Sequence, residues 1–390
     1  MAGTIGRQRK VLLIAPEVPP YGGVALQAQL LLELIGREEV PVALLPSNLA
    51  FPARLRFAGH LRGLRPFLRS ILFCRRLWAM LDDVQVVHIL ACSWLYFFVV
   101  VCPAIVISRL RGKRVILNYH GGQADEFLRF YGLLVRPFFR MADAVTAPSA
   151  FLVEVIGRRI GVPVEIVANI VDLDAFRYRK RASLQPKMVV TRHLEKLYDI
   201  ESVIRAFREV QRRYPDASLS IAGTGQEEKR LRDLVRAWQL QNVTFLGYVP
   251  HRELPALYDR CDILLNASLA DNLPGSLVEA AAAGLVVVST GVGGIPYMFE
   301  SGRNALLVPA GDWAGLVSAV FRVLEDPVLA SHITEEALRE CPRYAWTSVW
   351  QSLSSVYGFD RDTGGRPEPS AAGARGSPLP MPVEQRPSCK

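Results

Sequence analysis

In Asp262-Ile-Leu-Leu-Asn266-Ala-Ser268-Leu-Ala-Asp271-Asn-Leu-Pro-Gly-Ser-Leu-Val-Glu279-Ala-Ala-Ala-Ala-Gly284-Leu-Val-Val-Val-Ser289, an apolar run passes through a polar loop into an alanine-rich segment and then a second apolar run. Residues 262–266 and 286–289 read as strands, and 277–283 as the helix between them. Apolar runs that do not alternate with polar residues point to a parallel sheet covered on both faces. Pro274 suits a first helical turn, and the free N–H groups near Gly275 and Ser276 can hold phosphate. Glu279 lies one turn in, where a carboxylate can accept hydrogen bonds from two ribose hydroxyls. The same spacing also reads as a capping box, Ser276-x-x-Glu279, which needs no ligand. Spacing alone favours the capping box.

Working outward, the same unit repeats. In the second half, strands are predicted at 188–191, 218–222 and 243–246, and helices at 200–213 and 227–238. In the first half, apolar runs at 11–15, 84–90, 114–119 and 144–147 read as strands, with helical spacing over 24–35. Two successive series of this kind predict an α/β protein of two doubly wound domains. Their boundary falls near 175–187, a polar stretch rich in Arg and Lys. Residues 361–390 are dominated by Pro, Gly, Ala and Arg and read as a disordered tail.

Composition excludes several classes. Half of the 390 residues are hydrophobic and 21% are charged, which is the make-up of a folding chain. Six cysteines without a CxxC pair argue against a disulfide scaffold or zinc ribbon and fit a reducing compartment. The apolar run after the basic start is too short for an export signal, so none is expected. Charge is uneven: residues 1–176 carry +7, 177–360 carry zero and 361–390 carry +2. Such asymmetry suggests a division of labour between the halves.

Two stretches bear on membranes. Residues 92–110 are nearly all apolar, but the run is slightly short for a span and contains Pro103. It lies between two predicted strands and is read as a crossover helix. Between 53 and 80 stand Arg54, Arg56, Arg62, Arg65, Arg69, Arg75 and Arg76, interleaved with Leu, Phe, Ile and Trp and without an acidic residue. The segment 54–76 has the composition of an interfacial helix on an anionic membrane surface. No nucleic-acid module accompanies it, so nucleic acid is not expected as a partner. An ordinary surface helix also fits.

Three glycine-bearing turns complete the candidates. Gly22 and Gly23 open the first predicted helix, where backbone can approach an anion or simply make the turn. Gly223-Thr-Gly225 follows a strand, but Glu228 stands where a dinucleotide loop has its third glycine, so that fingerprint is rejected. His120 ends a strand in Asn118-Tyr-His-Gly-Gly122, at the strand end where open α/β sheets place ligands. It reads equally as a structural and as a functional residue.

The ordered set of motifs over residues 8–358 resembles glycosyltransferase family 4. After the Gly22-Gly23 loop and His120-Gly-Gly122 come Ala142-Asp-Ala-Val-Thr-Ala-Pro-Ser149, Asn169-Ile-Val-Asp172, Thr191-Arg192 and Ala222-Gly-Thr-Gly225. Phe245-Leu-Gly-Tyr-Val-Pro250, the Asp271-x7-Glu279 region and Gly293-Gly-Ile-Pro296 follow. The run from Arg192 to Asp199 is similar to that of enzymes of bacterial exopolysaccharide assembly. The resemblance implies the GT-B fold, two facing Rossmann-like domains with a cleft between them. An acceptor-side domain would cover 1–176 and a donor domain 177–342, with a helix at 343–360 returning to the first.

It also implies a retaining transfer of sugar from a UDP- or GDP-linked donor to a lipid-linked or glycan acceptor, with no metal and no further cofactor. Glu279 would hold the ribose. Asn272, Leu273, Pro274, Gly275 and Ser276 would hold the diphosphate at the helix start. Arg192 would neutralise the leaving phosphate, Gly22 and Gly23 would close over it, and His120 and Asp271 would contact the donor sugar. The implied location is cytoplasmic, peripheral on the inner face of the plasma membrane. Three departures stand out. Asp271 replaces the usual Glu. The second phosphate cation falls on Lys196 counting forward from Arg192, but its position falls on Tyr198 counting back from Phe207. Ala168-Asn-Ile-Val-Asp172 has Ile where the family has Gly. These departures motivate the competing reading of a catalytically weak scaffold in an assembly complex. A soluble transferase acting on a small sugar or metabolite is the runner-up reading, ahead of the scaffold.

Overall fold

The computed structural model describes residues 10–18, 22–51, 65–181 and 183–359. The expected tail at 361–390, and Arg54, Arg56 and Arg62 of the Arg-rich segment, lie outside them.

The first half runs β1 (Val11–Ala15), α1 (Gly23–Arg37), β2 (Val42–Pro46), α2 (Arg65–Met80), β3 (Val86–Ala91), α3 (Cys102–Leu110), β4 (Arg114–Tyr119), α4 (Ala124–Met141), β5 (Ala144–Ala147), α5 (Ala150–Ile160) and β6 (Glu165–Ile166). Its strands are all parallel, in the order β2-β1-β3-β4-β5-β6. Every residue of β1 is buried. Successive strand residues point to opposite faces, and both faces of β1 are covered. Leu12 and Ile14 join the core beneath α2, α3 and α4, while Val11 and Leu13 join the core beneath α1. This double cover is why the strand is uninterrupted in apolar residues rather than alternating.

The second half runs β7 (Lys187–Thr191), α6 (Ile200–Arg213), β8 (Ser218–Ala222), α7 (Glu228–Ala237), β9 (Val243–Gly247), α8 (Leu254–Asp259), β10 (Ile263–Asn266), α9 (Gly275–Ala282), β11 (Val286–Thr290), α10 (Ile295–Met298), β12 (Leu306–Val308), α11 (Trp313–Glu325), α12 (Pro327–Glu340) and α13 (Trp346–Tyr357). Its sheet is also parallel, in the order β12-β11-β10-β7-β8-β9. The two sheets make the molecule a pair of Rossmann-like units.

α13 belongs to the first unit's core although it is last in the chain. Val349, Leu353, Val356 and Tyr357 pack with Val11 and Leu13. Arg114 donates from Nη2 to the Val356 carbonyl at 2.9 Å. Tyr357 Oη meets His88 Nδ1 of β3 at 2.7 Å in the interior.

The apolar stretch 92–110 is the connection between β3 and β4. It forms a π-helical turn, Phe97–Val101, that continues into α3 with Pro103 in its first turn. Because the helix is continuous there, the proline removes one N–H from it, and the Val99 carbonyl four residues back accepts instead from Ser70 Oγ of α2 at 2.6 Å. Among the described residues no helix is long and apolar enough to cross a membrane.

The two sheets present their carboxyl edges to each other. Ser149, just past β5, donates its hydroxyl to Asn272 Oδ1, just past β10, at 2.6 Å in a buried contact. Gln27 of α1 clamps the connecting segment, donating to the Ile170 carbonyl and accepting from the Ile170 N–H, each at 2.8 Å.

Candidate active site at the facing strand ends

β7 delivers Thr191 and Arg192 to the cleft. Arg192 packs against the turn after β8. A Cβ on Gly223 would lie 1.9 Å from the Arg192 carbonyl oxygen, so only glycine lets the two backbones approach. That contact accounts for the glycine that could not belong to a dinucleotide loop. The side chain is fixed as well. Arg192 Nε donates to Asn266 Oδ1 at 3.0 Å, Ser268 Oγ donates to the same oxygen at 2.8 Å, and Asn266 Nδ2 donates to Ser289 Oγ.

Arg192 Nη2 stands 2.8 Å from Asp271 Oδ2, with the side chains only 13% and 14% exposed. The contact lacks hydrogen-bond geometry, and both atoms are buried without a hydrogen-bond partner. It is a charge contact, and each atom retains capacity for a polar ligand. Tyr198 stands on the other side, its ring centre 5.5 Å from the guanidinium carbon. Burial, first of all, raises its phenol above the usual value, and Asp271 adds to this. Tyr198, not Lys196, is therefore the residue against Arg192. Lys196 is exposed and lines a separate cavity of about 520 Å³ with Glu195, Asp199, Glu227 and Arg230.

The loop after β10 and the start of α9 are held by backbone. Gly294 N–H donates to the Asp271 carbonyl at 3.1 Å, and a Cβ on Gly294 would lie 1.8 Å from the Asn272 carbonyl oxygen. Leu273 is buried. Pro274 is the residue before the helix, Gly275 its first residue, and no side chain caps its first turn. The capping box is thus absent. Ser276 lies inside the helix with its buried Oγ unpartnered, and Glu279 reaches elsewhere.

Glu279, 9% exposed, accepts from His251 Nε2 at 3.0 Å and from Tyr258 Oη at 3.5 Å. Tyr258 Oη also meets Thr191 Oγ1 at 2.9 Å, which links Glu279 to the strand end carrying Arg192. The Glu279 hydrogen bond raises the His251 pKa above its usual value. His251 and Tyr258 were not singled out from sequence, though His251 directly follows the Tyr248-Val249-Pro250 motif.

The first-half candidates sit on the opposing edge. Gly22 precedes α1 in extended conformation, and a Cβ on Gly22 or Gly23 would meet nothing within 4 Å. Protein packing therefore does not require glycine at either position. His120 follows β4, with its Nε2 buried and unpartnered, and burial pushes its pKa down to about 4. Among the described residues no hydrogen bond or ion pair joins Gly22, Gly23 or His120 to the Arg192 and Glu279 group. Also among the described residues, no three His, Cys, Asp or Glu side chains gather to hold a metal ion.

Two Rossmann-like units whose strand ends face each other across a polar cleft define the GT-B glycosyltransferase class. The chain belongs to the glycosyltransferases of family 4: residues 21–175 match the family model Glycosyltransferase Family 4, and 175–340 match Glycosyl transferases group 1. It is 28% identical over 263 residues to a putative colanic acid biosynthesis glycosyltransferase, WcaL, of Salmonella typhimurium, spanning 63% of this chain and 64% of that one. It is 26% identical over 288 residues to a glycogen synthase of Mycobacterium tuberculosis, spanning 70% and 68% of the two chains. In fold it is similar to Alr3699/HepE of Anabaena, solved in complex with UDP. That likeness has a TM-score of 0.70 at 17% identity, over 90% of this chain and all of that one.

Proposed function

We propose that the chain is a retaining glycosyltransferase that moves a sugar from a UDP- or GDP-linked donor to a lipid-linked or polysaccharide acceptor in the assembly of cell-surface polysaccharide. The observation that carries this reading is the joined pair of groups at one strand edge. A buried carboxylate, Glu279, stands one turn into an uncapped helix, and Arg192 stands at the end of the neighbouring strand. The carboxylate suits a ribose diol, the helix start and Arg192 suit a diphosphate, and both are linked through Tyr258 and Thr191. Arg192 would take up charge on the departing diphosphate, the moment at which such a group acts most strongly. Asp271 would give up its contact with Arg192 and turn to the sugar, with His120 opposite. The unoccupied space around Gly22 and Gly23 supports their closing over the phosphates. Direct charge neutralisation by Arg192 and the helix start supports transfer without a metal. The UDP in the HepE structure and the colanic acid role in the name of WcaL support the donor and product classes.

The acceptor side supports a position at the inner face of the plasma membrane. α2 exposes Phe67, Ile71 and Trp78, and α4 exposes Phe130, Leu133 and Leu134. Arg75, Arg76, Arg129 and Arg140 are exposed on the same two helices. Apolar side chains among arginines match an anionic lipid surface.

Calorimetric titration with UDP, GDP and ADP, first without metal and then with Mg²⁺, tests the donor site. One of them should bind without metal, and Glu279→Ala should remove that binding from a folded protein. Absence of binding by all three would favour the scaffold reading, to which the Tyr198 position lends its one supporting observation.

A further inference from the structure

The first half carries a cavity of about 490 Å³, separate from the donor-side group and lined in part by Arg65 and Arg69 of the Arg-rich segment. Its place is set by topology. β1 is flanked by β2 on one side and β3 on the other, so the chain's direction of travel across the sheet reverses there. In open parallel sheets the crevice beyond the strand ends at such a reversal is where ligands bind. Pro16 follows β1, Ser47 and Asn48 follow β2, and Tyr96 follows β3; all four line the cavity. α2 and the π-helical turn form its walls.

The walls sort by chemistry. Arg65 and Arg69, one turn apart on α2, face the cavity from one side. Arg65 is exposed, whereas Arg69 lies deeper, against the ring of Phe51 at 5.5 Å. Arg69 Nε is buried and has no hydrogen-bond partner. No carboxylate is among the described lining residues. Two like charges held together with no counter-charge among the described lining residues, one carrying a buried unfilled donor, call for an anion. Phe73, Val99 and Val100 supply an apolar wall beside them. Val99 and Val100 belong to the π-helical turn, an element rare in helices and frequent at functional sites. The volume is that of an ordinary small-ligand pocket.

We propose that this cavity binds the phosphate-bearing end of an amphiphilic acceptor, with the phosphate on Arg65 and Arg69 and the first carbons of its apolar chain on Phe73, Val99 and Val100. The inference deepens the transferase reading and rests on it for the word acceptor. A polyprenyl phosphate and a phosphate-bearing acyl lipid share this chemistry.

The test uses the full chain in detergent-free buffer. Farnesyl phosphate, dihexanoyl phosphatidic acid, farnesol and inorganic phosphate are titrated separately, each below its aggregation limit, and UDP is titrated in the same preparations. At least one of the two phosphorylated amphiphiles should bind more than about tenfold tighter than farnesol or inorganic phosphate, and the tighter one identifies the chain type. Arg69→Met keeps the apolar stem and should weaken that binding by about tenfold or more, the scale of one lost charged hydrogen bond. Arg69→Lys should restore part of it, and UDP binding should be unchanged in both variants. Inorganic phosphate binding as tightly as the amphiphiles would overturn the proposal, leaving a bare anion site. Equal binding of farnesol and farnesyl phosphate, unaffected by Arg69→Met, would overturn it as well. Failure of UDP to bind while a phosphorylated amphiphile still binds would fault the transferase reading and support the ligand class of the cavity.

Discussion

The two facing edges handle charge in opposite ways. On the second-half edge each charge considered has a partner: Arg192 faces Asp271, and Glu279 meets His251, whose protonated form it favours. On the first-half edge the arginines of the cavity, Arg65 and Arg69, meet no carboxylate among its described lining residues, and the imidazole of His120 is held neutral by burial, as is that of His88 in the interior of β3 behind it. The second edge is therefore self-neutralised, and a ligand binds there by exchanging partners. The first edge is set up to receive negative charge. A nucleotide donor and a phosphorylated acceptor would each meet the edge suited to it.

The strongest test of the paired side is at its base. Arg181, 2% exposed, and Asp262, 5% exposed, form the most buried ion pair of the second half, 2.7 Å apart. Arg181 also donates to the carbonyls of Ala283 and Gly284, and of Tyr258 and Cys261. Arg181→Met leaves a buried carboxylate short of a partner and strands these carbonyls. Loss of about 3 kcal/mol is expected in denaturant unfolding. Arg179 still reaches Asp262 at 2.8 Å, so the loss should deepen in an Arg179→Met, Arg181→Met double variant. A stability change within a few tenths of a kcal/mol would show that pairing contributes little to this half.

Next in size is the exchange of partners at Arg192. Arg192→Ala should weaken UDP binding by about ten- to a hundredfold, the range for a lost charged hydrogen bond. Binding of UMP should change far less, because the second phosphate is what Arg192 is placed to meet. Equal losses for UDP and UMP would mean that Arg192 acts on the loop structure rather than on phosphate.

Much of this contrast could be read from sequence. Parallel, doubly covered strands announce themselves as unbroken apolar runs, and β1, β10 and β11 are of that kind. β2, β6 and β12 are edge strands: β6 and β12 are only two and three residues long, and β2 is incompletely buried and ends on Pro46, so none stands out as a strand. Arg192, Asp271 and Glu279 were legible because ordered motifs name them. Whether Lys196 or Tyr198 stood beside Arg192 was not, because a short 3₁₀ turn, Lys196–Tyr198, intervenes, and counting along the chain cannot locate a side chain across it. His251 was missed because its role depends on Glu279, 28 residues away; Arg69 was legible as one of the Arg-rich segment, but its buried, unpartnered Nε does not follow from sequence.

Acid should act on the first half next. His88 is fully buried, and burial, with His120 nearby, pushes its pKa down to about 3. The unfolded imidazole takes up a proton near 6.5, whereas the folded one does not until far lower pH. Stability is therefore lost as pH falls below 6.5, by roughly 2 kcal/mol at pH 5 for this one group. His88→Gln should flatten that part of the acid limb of a stability-against-pH curve. An unchanged acid slope would show that His88 is not held neutral, and the contrast between the two edges would weaken.

The smallest effect has the opposite sign and completes the comparison. Glu279 raises the His251 pKa above 6.5, so folding favours the protonated imidazole here. The stabilisation is fully present below pH 6.5 and disappears as pH rises through the raised value. The His251 side chain is 42% exposed, so solvent screening holds the contribution below about 1 kcal/mol. Asp172 adds to the raised value, and burial opposes it. The melting temperature of the wild type should exceed that of His251→Gln most at pH 5.5 to 6 and converge with it by about pH 9. UDP should erase the difference at low pH if the ribose takes the place of the imidazole on Glu279. A gap that widens with rising pH would contradict the charge pairing, and with it the view that the second edge neutralises itself before a ligand arrives.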